Sequence, residues 1–104
     1  MEITPQELKS RLDQGEKLTL IDVREPVEVG ICSLEQAKHI PLGELPDRLN
    51  EFKPDTSLIL YCHHGPRSMQ AAQFLRHKGF ENAFSLEGGI DAWAEEIDPE
   101  MERY

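Results

Sequence analysis

The stretch Leu58-Ile59-Leu60-Tyr61-Cys62-His63-His64-Gly65-Pro66-Arg67-Ser68 decides the fold of this chain. Its first four residues form an apolar run that is typical of a buried strand. A short loop follows, and residues 69–78 have a helix-like pattern. The thiol of Cys62 is therefore predicted at the exit of a strand, beside a helix N-terminus whose backbone N–H groups and dipole favour negative charge. This is a position for a nucleophile that acts next to an anionic substrate.

Strands and helices alternate along the rest of the chain. Strands are predicted over residues 18–23, 39–41, 58–61 and 83–86, and helices over residues 5–14, 26–31, 45–52, 69–78 and around residue 93. An alternating order favours an α/β fold with a mainly parallel sheet that is covered on both faces. Functional sites of such sheets lie at the carboxyl ends of the strands, which is where Cys62 falls.

Local signals mark where several of these elements begin and end. Thr4 and Glu7 have the spacing of a capping box at the start of the first helix. Gly79 is placed to end the helix after the loop, with Phe80 folding back in a Schellman motif. We expect one domain across residues 1–104, in which residues 95–104 form an acidic, frayed tail.

The bulk properties of the chain exclude some classes of function. The 104 residues carry a net charge of -9, which argues against nucleic acid and anionic membranes as partners. The first residues resemble no signal peptide, and no apolar run reaches membrane-spanning length. We therefore expect a cytoplasmic protein with reduced thiols. The spacing of Cys and His residues resembles no zinc site, and we predict neither a metal nor a cofactor.

Four motifs together point to a known family. They are Asp22-Val23-Arg24-Glu25, His39-Ile40-Pro41, the loop from Cys62 to Ser68, and Leu86-Glu87-Gly88-Gly89-Ile90-Asp91-Ala92-Trp93. In this order, over nearly the whole chain, they make it resemble the single-domain rhodanese family of thiosulfate or persulfide sulfurtransferases. The resemblance implies a rhodanese-like three-layer fold, with a five-stranded parallel sheet flanked by helices.

The resemblance also implies a chemical role for the loop. Cys62 would be the catalytic residue, taking a sulfane sulfur from a donor as a persulfide and passing it to a thiophilic acceptor. The loop would bind the substrate through His63, His64, Gly65, Pro66, Arg67 and Ser68. These residue types suit the chemistry, because glycine permits a tight turn, arginine binds oxyanions, and proline fits the first helical position.

The implied partners are a small anionic sulfur donor and a thiol or cyanide acceptor, with a protein sulfur acceptor as a further option. One departure from the family affects the donor. Many members carry Arg or Lys directly after the cysteine, whereas this chain has His63. A persulfide donor is therefore as plausible here as thiosulfate.

Two other functions compete with sulfur transfer. Cysteine phosphatases use a similar cradle, but their loop between Cys and Arg is longer, whereas only four residues separate Cys62 from Arg67. A non-enzymatic sulfur relay or docking module is the stronger alternative, since such a protein would keep the cysteine without turning over a free donor.

The remaining marked residues are interpreted as structural. Asp22 is expected to pair with Arg24 or to cap local backbone, and His39 to be a hydrogen-bonded residue of the fold. Cys32 lacks the setting of a nucleophile, since free cysteines are commonly buried and inert. Gly88 and Gly89 are assigned to a turn, and Trp93 to the core.

Overall fold

A parallel sheet of five strands organises the computed structural model, which describes all 104 residues. The elements, in chain order, are β1 (Glu2–Ile3), α1 (Pro5–Asp13), β2 (Thr19–Asp22), α2 (Pro26–Val29), β3 (Lys38–His39), a 3-10 segment (Leu42–Glu51), β4 (Leu58–Tyr61), α3 (Pro66–His77), β5 (Ala83–Leu86) and α4 (Gly89–Glu96). The strand order is β1-β5-β4-β2-β3, and every neighbouring pair is parallel. All five carboxyl ends therefore meet at one edge of the sheet.

Alternation along the central strand β4 divides the core into two halves. Leu58, Leu60 and Cys62 pack into the cluster that includes α3, whereas Ile59 and Tyr61 pack into the cluster that includes α1 and α4. One strand contributes to both clusters because successive side chains of a strand point to opposite faces of the sheet. Both clusters are buried. The result is three layers, helix on sheet on helix, which confirms the predicted fold class.

The local signals of the sequence correspond to the observed helix ends. The Thr4 hydroxyl accepts the backbone N–H of Glu7 at 3.1 Å, and the Glu7 carboxylate accepts the N–H of Thr4 at 3.0 Å. Gly79 ends the helix after the loop with φ +100°, and the N–H of Phe80 donates to the carbonyl of Leu75 at 2.9 Å. The capping box and the Schellman motif are thus both confirmed.

The C-terminal segment differs from its prediction. Residues 95–104 were expected to form a frayed tail, but α4 continues to Glu96, and Ile97 and Met101 pack against the core. Arg103 then donates to the carboxylate of Asp91 at 3.0 and 3.1 Å. The prediction of a frayed tail is therefore wrong, because two apolar side chains among the acidic ones are enough to dock the segment.

None of the helices is both long and apolar enough to cross a bilayer.

A buried ion pair closes the end of β2. The Arg24 guanidinium is fully buried and donates to both carboxylate oxygens of Asp22, at 2.9 and 2.7 Å. It also donates to the carbonyls of Cys32 and Glu28, at 2.6 and 3.3 Å. One side chain thereby joins the sheet edge to α2 and to the segment after it.

This geometry predicts a large stability cost for Asp22→Asn. The substitution keeps the shape but leaves the Arg24 charge buried without its counter-charge, which costs about 3–5 kcal/mol when a buried pair is broken. Urea unfolding at neutral pH measures the loss. The control is Glu16→Gln, which removes a carboxylate from the exposed pair with Arg11. Equal losses in the two variants would contradict the assignment of Asp22 and Arg24 to a buried pair.

Candidate active site

The candidate nucleophile lies where the central strand gives way to α3. Strand β4 ends at Tyr61, Cys62 follows, and α3 begins at Pro66, its first helical position. Cys62 is only 1% exposed. Its sulfur therefore lies within the loop at the carboxyl edge of the sheet, between the strand end and the first turn of the helix.

Backbone donors approach this sulfur from two positions. The N–H of Gly65 points to Sγ at 3.1 Å and the N–H of Ser68 at 3.4 Å. Gly65 has φ +123°, a left-handed conformation that turns its N–H inward and disfavours any residue with a β-carbon. Such donors stabilise a thiolate, the nucleophilic form of cysteine, without a general base.

A second serine holds Ser68 in place behind the sulfur. The Ser68 hydroxyl oxygen lies 3.5 Å from the Cys62 sulfur, 3.1 Å from the carbonyl oxygen of Gly65 and 2.7 Å from the hydroxyl oxygen of Ser85. Ser85 is fully buried on β5. Ser85 was not predicted as a site residue, since a lone serine in a strand carries no signal and its partner is 17 residues away.

The start of α4 fixes the loop backbone from outside. Ile90 N–H donates to the carbonyl of Cys62 at 2.9 Å, and Asp91 N–H donates to that of His63 at 3.1 Å. A β-carbon on Gly89 would lie 2.5 Å from the carbonyl oxygen of Cys62 and would overlap that of His63. The predicted turn is present, with φ +75° at Gly88, but the second glycine also allows this close approach.

The guanidinium of Arg67 forms an ion pair with the carboxylate of Glu28. It donates to both carboxylate oxygens of Glu28, at 2.7 and 2.8 Å. The hydrogen bonds from Arg67 are the main reason why the pKa of Glu28 falls to about 2, and burial opposes them. The same pair raises the pKa of Arg67. Glu28 is thus ionised at neutral pH. It was not predicted as a site residue from the sequence.

The last residue of the chain joins this pair. The Tyr104 hydroxyl donates to Glu28 at 2.8 Å and accepts from Arg24 at 2.9 Å. Its ring stacks on His63, with centroids 3.8 Å apart and planes 10° apart. Burial is the main cause that raises the pKa of Tyr104 to about 12, so the hydroxyl keeps its proton at neutral pH.

The two histidines of the loop are not hydrogen-bonded to the sulfur. His63 Nε2 is buried and has no hydrogen-bond partner. His64 is largely exposed, and its Nδ1 lies 3.8 Å from a carboxylate oxygen of Asp91. The His63 ring therefore lies against the ring of Tyr104, and the His64 ring faces solvent.

The loop is not part of a large cavity. The largest cavity, of about 500 Å³, is lined by residues of α1, residues 15–16 after it, β2 and the segment 34–36, and no residue of the loop 62–68 contributes to it. The other two cavities also exclude the loop. The surroundings of the Cys62 sulfur are therefore defined by the loop backbone and not by a cavity.

Residues interpreted as structural occupy structural positions. His39 Nε2 donates to the carbonyl of Arg24 at 2.6 Å, and Trp93 packs in the core. Asp22 both pairs with Arg24 and accepts its backbone N–H at 3.0 Å. Cys32 is partly buried, with its sulfur 3.9 Å from Arg24.

Comparisons with known proteins identify the family. The model of the Rhodanese-like domain matches residues 4–96. The chain belongs to the rhodanese-like family. A protein of Allochromatium vinosum named "Sulfurtransferase" is 36% identical over 93 residues, which cover 89% of this chain and 87% of that protein. The human single-domain sulfurtransferase TSTD1 has a TM-score of 0.85 at 28% identity, covering 91% of this chain and 96% of that one.

A longer relative contains the same domain as one part. The Mycobacterium tuberculosis protein named "Probable adenylyltransferase/sulfurtransferase MoeZ" is 43% identical over 104 residues. The match covers 98% of this chain but only 26% of that protein. This rhodanese-like chain thus spans about a quarter of that relative's length.

The contact of α4 with the loop predicts that Gly89→Ala disrupts the site. The new β-carbon has to displace the carbonyls of Cys62 and His63, which moves the loop and its N–H donors away from the Cys62 sulfur. Alkylation of Cys62 by iodoacetamide should therefore slow at neutral pH. Overpacking should also lower the free energy of unfolding by about 1–3 kcal/mol. The control is Gly15→Ala, which has φ +74° but nothing within 4 Å of its β-carbon. It should lose stability through strain alone, and equal alkylation rates in both variants would contradict the prediction.

The pair of Glu28 and Arg67 predicts a specific dependence of stability on pH. The folded state lowers the pKa of Glu28 from 4.5 to about 2. Its contribution to stability is therefore full above pH 4.5 and is lost as pH falls through about 2. Urea unfolding should show that the stability difference between wild type and Glu28→Gln shrinks over this range. In an Arg67→Gln background the same difference should depend much less on pH, and a difference that grew in acid would contradict the assignment.

Proposed function

We propose that this protein is a sulfurtransferase that carries sulfane sulfur as a persulfide on Cys62. The observation that carries the proposal is the sulfur of Cys62 with two backbone N–H donors directed at it, in a chain of the rhodanese-like family. These donors favour the thiolate at a position where a helix N-terminus also favours negative charge.

The transfer has two balanced steps. With thiosulfate, the Cys62 thiolate attacks the outer sulfur, a new S–S bond forms, the old S–S bond breaks, and sulfite leaves with the electron pair. With an alkyl persulfide, the thiolate attacks the terminal sulfur and the alkyl thiolate leaves. In the second step a thiolate or cyanide attacks the terminal sulfur of the Cys62 persulfide, which restores the Cys62 thiolate.

The residues of the loop divide these tasks. Gly65 and Ser68 contribute N–H donors to the sulfur, and Pro66 starts α3 without removing either of them. Arg67 is the only arginine within the loop, and His63 and His64 lie directly after Cys62. We place the reaction in the cytoplasm, within one domain that spans residues 1–104, and we expect no metal or cofactor to take part.

A sulfur relay to a protein partner is the second candidate. The observation that favours it is the match to a quarter of a longer relative, whose name combines adenylyltransferase and sulfurtransferase. In such a relay the persulfide of Cys62 would form in the same way, but its acceptor would be a protein rather than a small molecule.

Intact mass of the reduced protein tests the persulfide directly. Incubation with thiosulfate, or with an alkyl persulfide, should add the mass of one sulfur atom. Cyanide should then remove that mass and release thiocyanate. Cys62→Ala should gain nothing, whereas Cys32→Ala should behave as wild type. Sulfur on Cys32 instead of Cys62, or no gain from either donor, would overturn the proposal.

Two further readouts separate the alternatives. A stable persulfide that small acceptors discharge slowly would favour the relay over a free enzyme. Hydrolysis of an aryl phosphate that requires Cys62 would favour a phosphatase, which the short spacing between Cys62 and Arg67 disfavours.

A further inference from the structure

We propose that Glu28 is a specificity-determining residue, which neutralises Arg67 and so makes Cys62 select sulfane-sulfur donors of low charge, such as alkyl persulfides, over the thiosulfate dianion. The inference deepens the proposed function and rests on it. It assigns a role to a residue outside the loop, 39 positions from Arg67 in the sequence.

Arg67 is the arginine that a donor at Cys62 would meet, since it directly precedes Ser68, whose N–H points to the Cys62 sulfur. A free guanidinium offers a fork of donors that fits an oxyanion such as the sulfonate end of thiosulfate. In this structure both terminal nitrogens of that fork are bound to the Glu28 carboxylate. The pair has no net charge, so the attraction for a dianion is largely cancelled.

No other arginine at this edge of the sheet replaces it. Arg24 is paired with Asp22, and Arg103 is paired with Asp91. The surroundings therefore contain no uncompensated guanidinium, in a chain whose net charge is -9. A dianion approaching this surface is repelled at long range and gains little at short range, whereas a persulfide, with at most one negative charge, is repelled less.

Glu28 is held in this position by further partners. Its carboxylate accepts the backbone N–H of Glu25 at 3.0 Å and the hydroxyl of Tyr104 at 2.8 Å. Tyr104 is itself tied to Arg24 and stacked on His63. These contacts hold the Glu28 carboxylate at the position where it binds Arg67, so its negative charge is a built part of the site.

The test compares how fast two donors load Cys62 in Glu28→Gln and in wild type. Intact mass in single-turnover experiments gives the rate constant for thiosulfate and for N-acetylcysteamine persulfide, a donor whose only ionisable group is the persulfide itself. The ratio of the thiosulfate rate to the persulfide rate should rise about tenfold or more in the variant, because a unit charge close to a dianion has effects of this size. High salt should reduce the gain, since it screens the exposed Arg67.

Matched variants exclude indirect effects. Glu16→Gln removes a carboxylate from another bidentate pair with arginine, near the opposite edge of the sheet, and should leave the ratio within about twofold of wild type. The double variant Glu28→Gln/Arg67→Gln should lose the gain, because the released charge is gone. If Glu28→Gln does not fold, Tyr104→Phe, which removes one hydrogen bond to Glu28 and keeps the stack on His63, should shift the ratio in the same direction.

The outcomes separate the inference from the proposed function. Loading by both donors with an unchanged ratio in Glu28→Gln overturns the role of Glu28 alone. A gain that persists without Arg67 also overturns it. No loading of wild type by either donor overturns the proposed function, and the inference falls with it.

Discussion

The structure of the loop depends on the direction of its peptide groups. The carbonyls of Cys62 and His63, where the loop begins, point to the start of α4. Buried carbonyls without partners are costly, so this arrangement needs donors on the outer side. The first turn of α4 supplies them through Ile90 and Asp91, and the close approach requires a glycine at position 89. Strand β5, which carries α4 to this point, is thus as much a part of the site as β4.

Around this backbone core runs a chain of side-chain contacts that starts at the sheet. Asp22 fixes Arg24, Arg24 donates to Tyr104, Tyr104 donates to Glu28, and Glu28 binds Arg67. Its inner end is fully buried and its outer end is partly exposed. The position of a loop arginine therefore depends on a carboxylate of the sheet edge, although the two share no contact.

The parts of this arrangement that the sequence predicted are those set by neighbouring residues. The capping box of Thr4, the turn at Gly79, the apolar run of β4 and the place of Cys62 after it all follow from short-range chemistry. The pairing of Asp22 with Arg24 belongs to the same group, because the two residues are two positions apart.

The features that the sequence did not reveal are contacts between distant segments. Ser85 meets Ser68, Glu28 meets Arg67 across 39 positions, and Tyr104 meets Glu28 across 76. Serine, glutamate and a terminal tyrosine are common on surfaces, so nothing local distinguishes these three. Only the parallel order of the strands, which gathers their ends at one edge, brings them together.

The site thus separates two properties that are often carried by the same residues. Backbone N–H groups point at the Cys62 sulfur, and in the proposed reaction they would stabilise a thiolate and a persulfide alike. The charge presented to an incoming donor is set by side chains, chiefly by whether Glu28 occupies the Arg67 guanidinium. A change at position 28 can therefore alter which donor reacts while the peptide groups that hold the Cys62 sulfur stay in place. By the same reasoning, displacing the loop backbone, as a β-carbon at Gly89 would, affects every donor equally.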